Sequence, residues 1–114
     1  MELPVFKLSH LRQSAYLSQQ GRCWYCGCKL LSPKFHLGGG VTIPHPRSCT
    51  AEHLQARKDG GADIPANVVA ACRHCNEARH SSFDGIAPSR YRQKVRQAVA
   101  VGKWPTQRRA AAGR

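Results

Sequence analysis

Two cysteine pairs and one acid–imidazole couple carry most of the chemistry open to this sequence. Cys23 and Cys26 form one Cys-x-x-Cys turn, and Cys72 and Cys75 form a second, with 45 residues between them. Such a turn aims two thiolates at one cation, and two turns complete a closed tetrahedral site. A closed site leaves no place for water. The metal expected here is therefore a structural zinc, one per chain, whose binding free energy is also folding free energy. Disulfides and a redox-active thiol pair are the competing readings. Cys28 competes with Cys26 by proximity and Cys49 has no partner in this scheme; both read as small buried or partly buried thiols.

Between the pairs stands Glu52-His53. Thirteen residues separate His53 from Asn67, and four more lead from Asn67 to Cys72. Asn76, Arg79 and His80 follow the second pair directly. Read together, Ala51-Glu52-His53-Leu54, Asp59-Gly60-Gly61, Asn67-Val68-Val69 and the run from Cys72 to Arg79 resemble the HNH endonuclease family. The resemblance covers about residues 11–82.

The resemblance implies a small α+β fold. Its core would be the ββα-metal (His-Me finger) unit, two short strands and a helix around one divalent cation. The four-cysteine zinc site would staple that core, with helices flanking it at the N- and C-terminal sides. The implied activity is metal-dependent hydrolysis of DNA phosphodiester bonds. A neutral imidazole can take a proton near pH 7, which makes His53 the general base. A hard cation such as Mg2+ or Mn2+ wants oxygen ligands, and Glu52 supplies one. The cation would sit on the scissile phosphate and the departing oxygen. Neighbouring strand residues face opposite ways, so Glu52 and His53 serve one phosphate only if the strand ends or bends there.

By the same resemblance Asn76 is a metal ligand, which places the chain in the His-Asn-Asn variety. His80, four residues on and on the same helix face, is a further candidate ligand. If it binds, manganese, nickel or zinc gains ground on magnesium. Asn67 is implied to hydrogen-bond the loop backbone and hold His53 in place. Arg79 resembles a basic residue that binds phosphate. The plainer readings are a turn asparagine, a surface histidine and a solvated helix charge. Two departures stand out. Glu52 is one methylene longer than the more usual Asp, and Leu37 to Cys49 matches no motif.

These groups need elements to hold them. Ser9 is placed to cap a helix running to about Gln20, with Leu8, Leu11 and Ala15 on one face and Gly21 ending it. Residues 32–47, rich in Gly and Pro, read as a loop with a short strand around Val41-Thr42-Ile43. Residues 48–54 and Val68 to Ala71 read as two strands around a turn at Asp59-Gly60-Gly61. A short helix follows from Asn76 to about Ser82. A last helix begins at Pro88 and ends near Gly102, with Tyr91, Val95, Ala98 and Val99 forming its stripe. The expected organisation is a single domain over 1–105, with its core at about 11–82, its basic helix at about 88–101, and a disordered basic tail over 106–114.

The charge balance points to the partner. Eighteen Lys+Arg stand against six Asp+Glu, a net charge of +12. So one-sided a balance in a small chain seeks a polyanion, with nucleic acid first. From Arg79 onward nine basic residues face one acid, Asp84. Arg90 and Lys94 flank the apolar stripe on one side, and Arg92 and Arg96 on the other. All four are candidates for phosphate contact, alongside Arg79. Contacts of that kind carry no base information, so weak sequence preference is expected. Duplex or branched DNA is the expected partner, RNA is not excluded, and monomer and homodimer both stay open. Trp104 reads as a core anchor before a base-stacking platform.

No apolar helix face suits a lipid surface, and no charged segment leads into an apolar core at the N-terminus. A cytoplasmic protein of bacterial or phage origin is expected. The alternative function is a catalytically silent zinc-stabilised module that binds DNA or RNA.

Overall fold

The computed structural model describes residues 5–32 and 45–107. The strand expected around Val41-Thr42-Ile43 and the tail beyond Gln107 lie outside them. Helix α1 spans Leu8–Ser18 and buries Leu11 and Ala15. Ser9 is not its cap. The cap position is Lys7, whose side chain makes no capping bond. Its carbonyl instead accepts from His10 N and Leu11 N, both at 3.0 Å. The helix thus starts two residues before the position that capping chemistry favours, and its buried face carries Leu11 and Ala15.

Strand β1 (Cys49–His53) pairs antiparallel with β2 (Val68–Cys72), Cys49 opposite Cys72 and His53 opposite Val68. The outer edge of β2 is closed by a side chain. Gln19 Nε2 donates to Ala70 O at 2.8 Å, and Gln19 Oε1 accepts from Ala70 N at 2.9 Å. One carboxamide thus satisfies a donor and an acceptor that an edge strand would leave open. Trp24 N also donates to Ala70 O, at 2.9 Å, which ties the first cysteine turn to the sheet.

The loop between the strands is pinned at its neck by Asn67. Asn67 Oδ1 accepts from Gln55 N at 2.8 Å, while Nδ2 donates to Gln55 O at 3.0 Å and Ala62 O at 3.1 Å. Gly61 is required there, since a Cβ at that position would lie 1.7 Å from Gln55 O.

Helix α2 spans Arg73–Ser81 and so starts inside the second cysteine turn, three residues before the expected Asn76. Cys72 is its N-cap, its sulfur accepting from Cys75 N at 3.3 Å. Helix α3 spans Pro88–Ala100, opens on Pro88 and buries Tyr91 and Val95. Tyr91 Oη donates to Cys75 O at 2.7 Å. The core is built around the cysteines and two fully buried tyrosines, Tyr25 and Tyr91, whose rings meet edge to face at 4.8 Å. Trp104 packs against this core and meets the His74 ring at 5.1 Å, as an anchor would.

The segment after α3 corrects one expectation. Thr106 and Gln107 form part of a tight turn over Pro105–Gln107. Thr106 Oγ1 lies 3.1 Å from Cys26 Sγ, and Gln107 Nε2 donates to Cys26 O at 3.0 Å. Hydrogen bonding to the first cysteine turn holds these first two residues of the expected tail. Among the described residues, no helix is long and apolar enough to cross a membrane.

Candidate active site

The first centre is the sulfur cluster. Cys23, Cys26, Cys72 and Cys75 are buried, and their sulfurs all lie within 4.8 Å of one another. All six cysteines are free thiols, so no disulfide competes for them. Backbone N–H groups point at the sulfurs: Cys72 N reaches Cys23 Sγ at 3.2 Å, and Cys28 N reaches Cys26 Sγ at 3.4 Å. Hydrogen bonds with its neighbours, Cys23 foremost, lower the Cys26 thiol, whereas those with Cys23 and then Cys26 raise Cys75 and Cys72. A divalent cation replaces the protons that such crowded sulfurs must otherwise share. The set can hold a metal ion such as zinc. Cys28 and Cys49 are buried beside it. Burial pushes the Cys49 thiol from 9.0 up to about 11.

The second centre grows from the end of β1. Adjacent strand residues leave on opposite faces. The Glu52 side chain turns inward and is only 2% exposed. Its Oε2 accepts from Tyr25 Oη at 2.9 Å and from Arg79 Nη1 at 2.9 Å. Its Oε1 lies 3.1 Å from His80 Nε2, on a ring that is half exposed. Burial, and then the Glu52 charge, raise the Tyr25 phenol, which therefore stays a donor.

Asn76 sits one helical turn before His80, on the same face of α2. Its Nδ2 donates to Thr50 Oγ1 at 3.0 Å and reaches Ala51 O at 3.4 Å. Its Oδ1 has no hydrogen-bond partner among the described residues. No hydrogen bond joins Asn76 to Glu52; the two are brought near through the strand residues that precede Glu52. An open cavity of about 280 Å³ flanks Arg79 and His80, with Leu54, Lys58, Asp84 and Ile86 in its wall.

His53 takes the other face of the strand end. Its Nε2 lies 2.8 Å from Asp63 Oδ1, and its side chain is 15% exposed. Arg57 grips the same carboxylate, Nε to Oδ1 at 3.1 Å and Nη2 to Oδ2 at 2.7 Å. Arg57 first, and then His53, hold the Asp63 carboxyl below its ordinary range. Asn67 closes the neck of the loop that presents Asp63.

Three expected phosphate binders are engaged elsewhere. Arg79 is 8% exposed. Besides Glu52 it donates to His53 O at 3.4 Å and Ile86 O at 3.2 Å, which leaves it little reach toward a ligand. Arg92 Nε donates to Trp24 O at 2.7 Å, and its guanidinium lies 4.4 Å above the Trp24 ring. Arg96 donates through Nε to Tyr25 O and through Nη2 to Trp24 O at 3.3 Å. The unpaired carbonyls of the first cysteine turn draw both arginines onto it. Arg90 and Lys94 are exposed and have no protein partner among the described residues.

Tyr25 and Asp63 were missed by reasoning from sequence. Asp63 had a usable signal, being one of only six acids in a chain with eighteen Lys+Arg and lying two residues beyond the Gly-Gly turn. Tyr25 had none, because its partner Glu52 is 27 residues away.

A comparison with curated proteins finds no match. The profile of the HNH endonuclease family matches residues 23–82, a span that opens on Cys23 and runs past the second cysteine pair to the end of α2. That family's activity is of the nuclease type, and its substrate is nucleic acid. With half of its length under that match, and the four sulfurs and the strand-end acid and imidazole inside it, this chain belongs to the HNH endonuclease family.

Proposed function

We propose that the chain is a metal-dependent endonuclease that hydrolyses DNA phosphodiester bonds, with His53 as general base. The observation that carries this reading is the Glu52–His80 pair, with Oε1 and Nε2 3.1 Å apart. Cis ligands of an octahedral ion at about 2.1 Å stand about 3 Å apart, so the spacing fits two ligands of one divalent cation. The free Oδ1 of Asn76 is the third donor. Two oxygens and an imidazole suit Mg2+ or Mn2+, and the imidazole tilts the choice toward Mn2+. When bound, the cation supplies charge neutralisation at the phosphate and the departing oxygen.

The chain's own residues do the rest. Tyr25 and Arg79 hold the buried Glu52 side chain in place through its Oε2, which leaves Oε1 turned toward His80. Asn67 fixes the loop behind His53. His53 accepts the proton of the attacking water. Arg90 and Lys94 give α3 two free cations for the phosphate backbone.

The four sulfurs are assigned a structural zinc. A tetrahedral site with Zn–S of about 2.3 Å has edges of about 3.8 Å. Cys26 Sγ and Cys72 Sγ are 3.8 Å apart. Supercoiled plasmid incubated with Mg2+ or Mn2+ tests the reading. Nicking is expected for the zinc-loaded protein and is expected to vanish in His53→Ala while zinc content and DNA binding persist. A His53→Ala protein that binds DNA and nicks at the original rate refutes the assigned base. A wild type that binds but never nicks leaves the silent module instead.

A further inference from the structure

We propose that Asp63 is a positioning residue for His53. Anchored by Arg57, its carboxylate accepts a hydrogen bond from Nε2–H and so presents Nδ1 as the nitrogen that takes the water's proton. The inference rests on the nuclease reading above and adds to it which ring nitrogen reacts and what orients it.

The geometry carries the argument. A carboxylate can only accept hydrogen bonds, so the 2.8 Å contact between His53 Nε2 and Asp63 Oδ1 makes Nε2 the protonated nitrogen. In a neutral ring the lone pair then falls on Nδ1. Nδ1 has no hydrogen-bond partner among the described residues. Asp63 is itself held at both oxygens by the Arg57 fork, which fixes the plane of the carboxylate as well as its charge. The loop behind this pair is closed by Asn67 and by the close approach at Gly61. A partner that fixes one ring nitrogen sets the tautomer and the orientation of the other.

The step balances. The water oxygen forms a bond to phosphorus, its proton passes to Nδ1, and the bond from phosphorus to the departing oxygen breaks. That oxygen takes a proton from solvent. His53 later returns its extra proton to solvent, and Asp63 gains and loses none. While His53 is an imidazolium, the neighbouring carboxylate stabilises it.

The test uses the full zinc-loaded chain, supercoiled plasmid, and Mg2+ or Mn2+. Asp63→Ala is expected to lower kcat about 10- to 100-fold with KM changed less than about twofold. Asp63→Asn, which keeps an acceptor oxygen, is expected to recover part of the loss. Zinc content and circular dichroism confirm that each variant is folded. Wild-type kcat in Asp63→Ala, or a loss confined to KM, overturns the proposal. A second readout needs no turnover. In nitrogen-15 spectra the wild-type His53 ring is expected to show a protected Nε2 proton, which Asp63→Ala loses. Absence of that proton in the wild type overturns the pairing. Wild type that shows the proton yet fails to nick refutes the nuclease reading while leaving the pair standing.

Discussion

Arg79 and Glu52 meet at 2.9 Å inside the protein, with 10% and 3% of their side chains exposed. A buried carboxylate that loses its cation is left with an uncompensated charge. Arg79→Ala is therefore expected to destabilise the fold by about 3–5 kcal/mol, read by urea unfolding of the zinc-loaded protein. Glu52→Gln keeps the shape and is expected to cost less, yet to abolish Mn2+ binding measured by calorimetry. Equal stability of Arg79→Ala and wild type would show that the pair is not buried in solution.

Metal removal separates the sulfurs. Chelation is expected to release one zinc per chain and to unfold the protein, since that binding free energy is folding free energy. Cys72→Ser is expected to do the same at lower chelator concentration. Cys28→Ser and Cys49→Ser are expected to keep full zinc, because neither sulfur belongs to the set within 4.8 Å. Zinc analysis of the purified variants is the measurement.

Loop geometry gives a third test. Gly61→Ala places a Cβ 1.7 Å from Gln55 O, so the backbone must move. A loss of about 1–3 kcal/mol is expected from thermal unfolding. Nicking is expected to fall further than stability, because the displaced loop carries Asp63. A silent Gly61→Ala would mean that the Gln55 turn adopts another shape.

Charge on α3 divides into two kinds. Arg90→Ala and Lys94→Ala are expected to weaken DNA binding and flatten its salt dependence while leaving the melting temperature unchanged. Arg92→Ala removes a charged bond to Trp24 O and is expected to cost about 1.5–3 kcal/mol of stability. Fluorescence anisotropy at two salt concentrations, paired with unfolding curves, distinguishes the two.

The Cys49 thiol supplies the pH test. Its folded value is raised from 9.0 to about 11, so burial favours the neutral thiol. That contribution is full below the unfolded value and is lost as pH rises through the folded one. Stability is expected to fall between about pH 9 and 11, and the difference curve against Cys49→Ala isolates this part. A flat difference curve would show that Cys49 is solvated.

The sequence made the frame readable because the groups that define it are close together or strongly patterned. Cys-x-x-Cys turns declare themselves in four residues. Tyr91 and Val95 share a helix face, and both are buried. The two short strands were visible on either side of a Gly-Gly turn, β2 as the apolar run from Val68 to Ala71. What stayed hidden depends on distant partners. Arg92 and Arg96 look like free helix cations until the Trp24 and Tyr25 carbonyls are found beneath them. Arg79 looks solvated until Glu52, 27 residues earlier, draws it inward. Asp63 reads as loop polarity until the chain folds back ten residues to His53. Charge sign alone does not tell a cation that meets a ligand from one that closes the fold.

The return of Thr106 and Gln107 to Cys26 also makes the first cysteine turn a meeting point of distant segments, since its partners there lie 80 and 81 residues further along the chain. A chain cut after α3 is therefore expected to keep all four cysteines and yet leave Cys26 Sγ and the Cys26 carbonyl without those two partners.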